Sequence, residues 1–84
     1  MPHYYFHLRN GVGVVLDEQG RELKDLEAAR SAAIKDVRSI ISDEVKRGRL
    51  DLRGRMDVAD GDGTVVLSFP FREALDLRLG WDVP

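Results

Sequence analysis

The sequence predicts an α+β domain in two layers, with one long amphipathic helix on one face of a four-stranded antiparallel sheet, in the order ββαββ. Segments near both ends alternate between apolar and polar residues, which is typical of strands. A central segment instead carries apolar residues at three- and four-residue steps, which indicates a helix. Because 84 residues suffice for one domain only, we expect a single domain over 1–84, with its core over about 3–71 and a C-terminal tail over 72–84.

The first two strands are predicted to form a hairpin. Residues 3–9 alternate in polarity, and Asn10-Gly11 is a strong signal for a tight turn. The run 12–16 is then the second strand. Residues 17–20 follow as a turn, because Gly20 tolerates a positive φ and the Asp17 side chain can accept from the backbone ahead of it.

The helix is predicted over residues 25–47. Asp25 is a suitable N-cap, since its carboxylate can accept from free N–H groups of the first turn. Lys46 and Arg47 suit the last turn, and Gly48 suits the left-handed position after it. One apolar stripe is expected to face the sheet: Leu26, Ala29, Ala33, Val37, Ile40, Ile41 and Val45.

Two further strands follow a connector over 49–54, under which Leu50 and Leu52 are expected to pack. The strands are predicted at 55–59 and 64–69, joined by a hairpin loop at 60–63. Pro70 should end the last strand or lie on a sheet edge, because it lacks an N–H for the ladder. A single helical turn is expected at 71–75.

The alternation assigns side chains to the two faces of the sheet. The face toward the helix is predicted to hold Tyr4, Phe6, Leu8, Val14, Leu16, Met56, Val58, Val65, Leu67 and Phe69. The opposite face is predicted to hold His3, Tyr5, His7, Arg9, Val15, Asp17, Arg55, Asp57, Thr64, Val66 and Ser68. An antiparallel sheet can leave such a mixed face in water.

Composition excludes several classes of protein. Thirteen Lys and Arg against fifteen Asp and Glu give a net charge of -2, which argues against nucleic-acid binding. The chain has no cysteine, so it can form no disulfide or thiolate site. No apolar run approaches the roughly 20 residues of a membrane helix, and the N-terminus lacks the pattern of a signal peptide. We therefore expect a cytoplasmic protein.

The residues that could carry chemistry form no recognisable catalytic site. His3 and His7 share a strand face, but four residues span about 13 Å, too far for one metal ion to bridge. The acidic run at 60–63 resembles the start of a calcium loop, but the twelfth position is Phe71 where a Glu is needed, and a hairpin turn explains it. No serine lies in a nucleophile elbow. We expect no metal, no cofactor and no enzymatic activity.

Two sets of residues are candidates for binding. An interaction surface for self-association is predicted from His3, Tyr5, His7, Val15, Val66 and Trp81. A basic cluster that could contact an anion or an acidic partner consists of Lys46, Arg47, Arg49, Arg53 and Arg55. The alternative interpretation of this cluster is a basic helix end and a solvated connector, neutralised by nearby acidic residues.

Three stretches carry a resemblance to a known family. The opening 1–9, the stretch 16–23 and the helix start 25–30 resemble M-P-x-Y-F-F, then D-x-x-G-x-E-L, then D-L-x-x-A, in a family of short bacterial proteins known only as a domain of unknown function. The stretches 57–60 and 66–71 also fit, and Tyr5 replaces the usual Phe. The resemblance implies a bacterial cytoplasmic protein and supplies no activity. A looser likeness, at the level of topology, is to the antitoxin of HicAB toxin–antitoxin pairs.

Three functional hypotheses follow. The first is a non-enzymatic interaction or regulatory module that acts as a homo-oligomer, with a dimer favoured. The second is a HicB-like antitoxin that masks a small RNA-cleaving toxin. The third is a small-molecule binder or enzyme whose site at a subunit boundary uses His3, Tyr5 or His7.

Overall fold

The computed structural model describes residues 1–11, 13–78 and 80, so Trp81 of the predicted interaction surface lies outside the described residues. The elements are β1 (His3–Asn10), β2 (Gly13–Val15), β3 (Arg21–Glu22), α1 (Leu26–Lys46), β4 (Arg55–Ala59), β5 (Val65–Pro70) and a 3-10 turn (Phe71–Ala74). None of the helices in these ranges combines the length and apolar character needed to cross a bilayer.

The sheet is antiparallel, with the order β2-β1-β4-β5. The first strand of the chain is therefore central and pairs with β4, which follows the helix. β3 is a fifth strand that the sequence pattern did not predict, and it pairs with His3 and Tyr4 of β1. Its Arg21 forms an ion pair with Asp36 of α1 and lies over the Phe6 ring, 4.1 Å from the ring centroid. These contacts hold this short strand against the helix.

The ends of α1 are capped as predicted. Asp25 Oδ1 accepts from the Ala28 N–H at 2.8 Å. At the other end, Gly48 has φ +79°, and the N–H groups of Gly48 and Arg49 donate to the carbonyls of Val45 and Glu44. Both bonds together form a Schellman motif, which satisfies carbonyls that the helix itself leaves free.

The core lies between α1 and the two central strands. The fully buried helix residues recur every four positions, at Ala29, Ala33, Val37 and Ile41. The sheet residues they cover include Tyr4, Phe6, Met56, Val58 and Phe69, all predicted for this face. A helix is about 10 Å wide and strands lie about 4.8 Å apart, so one helix covers about two strands.

Apart from Phe69 of β5, the edge strands contribute exposed or half-buried residues to the sheet. Val14, Leu16 and Val65 were predicted to be buried, and each exposes more than half of its surface. Leu26 and Val45, at the two ends of the helix stripe, are also exposed because they lie beyond the central strands. In the connector Leu52 packs against the core, whereas Leu50 is exposed.

Val14 and Val15 exchange faces relative to the prediction, and so do Val65 and Val66. The hairpin pairs Leu8 with Val15, and Leu8 also pairs with the buried Met56, so Val15 lies on the helix side. In β5 a bulge opposite Val58 and Ala59 places Val65 across from Ala59, while Val66 lines a depression with Tyr4 and Leu26. Alternation alone could not show either change, because the face of a side chain depends on register.

Candidate functional site

An aromatic ladder runs along the sheet face that α1 does not cover. His3, Tyr5 and His7 project from alternate positions of β1, as predicted. The ring centroids of His3 and Tyr5 lie 5.1 Å apart, and those of Tyr5 and His7 lie 6.5 Å apart with nearly parallel planes. All three side chains are half-buried. Within the described ranges, no three His, Asp or Glu side chains are grouped so that they could hold a metal ion.

A polar network continues the same face toward the other end of the strands. Arg9 Nε lies 2.8 Å from Asp57 Oδ2, and the Ser68 hydroxyl donates to Asp57 Oδ1 at 2.6 Å. Arg55 in turn donates to the Ser68 oxygen at 3.1 Å. These side chains bind one another, so this part of the face is a structural crosslink between three strands.

The two histidines also anchor the segment that follows β2, residues 16–20, which we call the Asp17 loop. The Asp17 N–H donates to His7 Nδ1 at 3.0 Å, so this nitrogen carries no proton. His3 Nε2 lies 2.8 Å from the Gln19 carbonyl oxygen, to which it donates. A Cβ at Gly20 would lie 2.7 Å from the His3 ring and from the Tyr4 carbonyl oxygen, so only glycine fits there.

Asp17 is the centre of this loop. Its carboxylate accepts from the N–H groups of Phe6, Gln19 and Gly20 at 3.0–3.1 Å. Burial alone would raise the pKa of Asp17, but these hydrogen bonds hold it below its ordinary value of 3.8. β1 pairs with β2 only from Leu8 onward, so at Phe6 the Asp17 carboxylate accepts the N–H that a neighbouring strand would otherwise bind.

Replacing Asp17 with alanine should cost about 1–2 kcal/mol of unfolding free energy at pH 7, because three N–H groups lose a charged acceptor. Since the pKa is lowered in the folded state, this contribution is present above the unfolded pKa of about 3.9 and is lost as pH falls through the folded value. Urea unfolding of both proteins at pH 7 and at pH 3 measures this. The difference in unfolding free energy between the wild type and Asp17→Ala should be smaller at pH 3 than at pH 7. Glu18→Ala, on the same loop, should show no such dependence on pH. An equal difference for Asp17→Ala at both pH values would contradict this account.

The free edge of the sheet beside this loop is apolar. Val14, Val15 and Leu16 are 57%, 60% and 64% exposed. Residues 10–16 contain no charge, although charged residues make up 33% of the chain. We call Gly13, Val14, Val15 and Leu16 the β2 edge. The opposite edge, β5, carries a bulge and ends at Pro70, two features that discourage pairing with another chain.

The predicted basic cluster is divided by the fold. Arg53 forms a close ion pair with Asp51 at 2.9 Å, and Arg49 lies 3.7 Å from Asp51 and 3.8 Å from Glu44. The Arg53 guanidinium holds the pKa of Asp51 well below its usual range. Arg55 belongs to the uncovered sheet face instead. Lys46 and Arg47 lie at the helix end, and of the cluster Arg49 and Arg53 form ion pairs with nearby carboxylates.

Comparison with known families assigns the chain. A family model described as Domain of unknown function (DUF6894) matches residues 3–72. The chain belongs to this family. The DUF6894 match includes every strand and α1, and the expected family of unknown function is thereby confirmed.

The family brings no assigned activity, so the functional residues must be inferred from the structure. Comparison with curated proteins and comparison with solved structures each found no match. The likeness to HicAB antitoxins therefore gains no support. The β2 edge is the feature that sequence reasoning missed most, although the missing signal was present in the uncharged run 10–16.

Proposed function

We propose that this DUF6894 protein is a non-enzymatic interaction module that forms a homodimer through the β2 edge. The observation that supports it is the coincidence of three exposed apolar side chains with a free strand edge that carries no charge. An unpaired edge presents backbone N–H and C=O groups that a further strand can pair with. A bacterial cytoplasmic setting is part of the proposal, supported by the sequence resemblance and by a chain without cysteine.

A second copy of the chain fits this edge. Two β2 strands that meet antiparallel about a two-fold axis at Val14 place each Gly13 opposite the partner's Val15, and the two sheets become one. Because the edge carries no charge, identical copies meet without like-charge repulsion. The glycine leaves room where the opposite valine must pack. Each strand then partly covers the exposed side chains of Val14 and Val15 in the other copy, and this burial together with the backbone hydrogen bonds is the driving force.

Contacts with β1 and with the Asp17 loop fix the conformation of β2 before a second copy binds. On one side it pairs with β1, and at its exit the Asp17 loop is fixed by hydrogen bonds to β1 and to both histidines. Less conformational freedom is therefore lost when the second copy binds. His3 and His7 thus act in this proposal as supports of the edge strand.

The central test replaces Val14, whose exposed side chain lies on the uncovered face opposite Arg9. The wild-type protein should be a dimer at about 100 μM by sedimentation equilibrium, and Val14→Asp should be a monomer, because two carboxylates would meet at the axis. The melting temperature of the Val14→Asp monomer should match that of diluted wild-type protein. The matched control is Val45→Asp, equally exposed on α1, which should remain dimeric.

Two outcomes would overturn the proposal. One is wild-type protein that stays monomeric up to millimolar concentration. The other is a Val14→Asp protein that dimerises as strongly as the wild type, which would place the interface elsewhere.

A further inference from the structure

Both histidines of the chain bind the backbone of one short segment, the Asp17 loop. His3 Nε2 donates to the Gln19 carbonyl at 2.8 Å, and His7 Nδ1 accepts from the Asp17 N–H at 3.0 Å. Histidine is the only side chain whose ordinary pKa places its change of charge between pH 5 and 8. The loop that follows β2 is therefore held by both side chains of this kind in the sequence.

The two hydrogen bonds respond to a proton in opposite ways. His3 donates through Nε2, and an imidazolium ring still carries a proton on that nitrogen. His7 accepts through Nδ1, where an imidazolium ring has no free lone pair. Protonation of His7 would therefore set two N–H donors 3.0 Å apart and break the bond to Asp17, whereas protonation of His3 leaves its bond intact.

Few charged or titratable groups lie beside the His7 ring on this face of the sheet. They are Tyr5 and Arg9 on β1, Asp57 and Arg55 on β4, and Asp17 in the loop. β2 contributes no charge. Asp57 is already bound by Arg9 at 2.8 Å. The Asp17 carboxylate is therefore the group that is left to attract a cationic His7 ring.

A cationic His7 ring cannot use that carboxylate without a change in the loop. The two oxygens of Asp17 already accept from the N–H groups of Phe6, Gln19 and Gly20, and these bonds fix the loop with its Asp17 N–H against the ring. The neutral ring needs the N–H, and the charged ring needs the carboxylate. The loop consequently has one arrangement for each protonation state of His7.

We propose that protonation of His7 releases the Asp17 loop from β1 and thereby weakens the dimer that forms through the β2 edge. The loop follows β2 directly, so its release frees the end of the strand to which the second copy binds. Each copy must then lose more conformational freedom when the dimer forms. The release of the loop is a property of the single chain, whereas its effect on assembly rests on the proposed function.

NMR of the dilute 15N-labelled wild-type protein tests the release of the loop. At pH 7.5 a scalar coupling should join the Asp17 amide nitrogen to His7 Nδ1, and this coupling should be lost at pH 5.5. The hydrogen-exchange protection of the Phe6 and Gly20 amides, corrected for the intrinsic effect of pH, should fall over the same range. Carboxylates ordinarily titrate at about pH 4, so they stay charged throughout. A coupling that persists at pH 5.5, or amides that keep their protection, would overturn the proposal.

Sedimentation equilibrium at the two pH values tests the effect on assembly. If the loop is ordered in about a third of the protonated copies, the dissociation constant should rise about tenfold, because both copies must be ordered at once. A dimer of equal strength at both pH values would overturn the link between the loop and the β2 edge. No dimer at either pH would overturn the proposed function together with this link, while the NMR result still decides the release of the loop.

Two variants separate the histidines. His7→Asn places an amide oxygen near the position of Nδ1, where it accepts at any pH, so the dimer should be equally strong at both pH values. His3→Gln is the matched control, because its amide nitrogen can donate as Nε2 does, and its dimer should keep the pH dependence of the wild type. A His7→Asn protein that retains the wild-type pH dependence would place the switch elsewhere and contradict the proposal.

Discussion

Replacing Met56 with alanine should cost about 2–5 kcal/mol of unfolding free energy. Met56 is the largest of the fully buried side chains, at 1% exposure, and it lies on the central strand β4 between Leu8 and Phe69. Truncation removes apolar contacts and leaves a cavity that the neighbouring strands cannot close. A domain of 84 residues has a total stability of about 4–13 kcal/mol, so a large share of it depends on this side chain.

Urea unfolding followed by circular dichroism measures this cost. Leu50→Ala provides the control, because Leu50 is about half exposed in the connector and its loss should cost less than about 0.5 kcal/mol. Similar costs for Met56→Ala and Leu50→Ala would show that the core does not lie between α1 and the central strands.

Replacing Gly54 with alanine should cost about 1–3 kcal/mol, because it overpacks the core. A Cβ at this position would lie 2.6–2.8 Å from three atoms of the Phe71 ring, closer than any real contact. The ring is buried, and the Phe71 N–H donates to the Gly54 carbonyl at 2.9 Å, so the two backbones cannot separate without losing that bond.

Gly61→Ala is the matched control for this substitution. Gly61 lies in the hairpin loop between β4 and β5, and a Cβ there would meet no atom within 4 Å. Its melting temperature should stay within about 2 °C of the wild type, whereas Gly54→Ala should melt about 5–20 °C lower. Equal melting temperatures for the two variants would contradict the packing of Phe71 against Gly54.

Local signals in the sequence were sufficient for the helix and for the order of the elements other than β3. The cap at Asp25, the Schellman glycine Gly48 and the turn at 60–63 act over a few residues, and each was predicted correctly. The core face was predicted correctly where strands are central, as at Phe6 and Val58. Here burial on one side is enforced by the helix above.

The errors concern features set by distant partners. The face of Val15 follows from a hairpin register in which Asn10 pairs with Gly13, and that of Val65 from a bulge in β5. The exposure of Val14 follows from the same hairpin register, which places it across from Arg9 on the face that α1 does not cover. The β2 edge was not predicted, although residues 10–16 carry no charge, because the alternation assigned Val14 and Leu16 to the core.

The central position of β1 has a consequence for how the protein is made. Tyr5 pairs with Ala59, more than fifty positions later, so most of the chain must be synthesised before the first strand finds its long-range partner. Pairing over such a distance is slow compared with helix formation. During translation we therefore expect α1 to form first, while the aromatic N-terminal segment stays unpaired until β4 has been synthesised. That interval is when nascent chains of this protein are most open to chaperones and to aggregation.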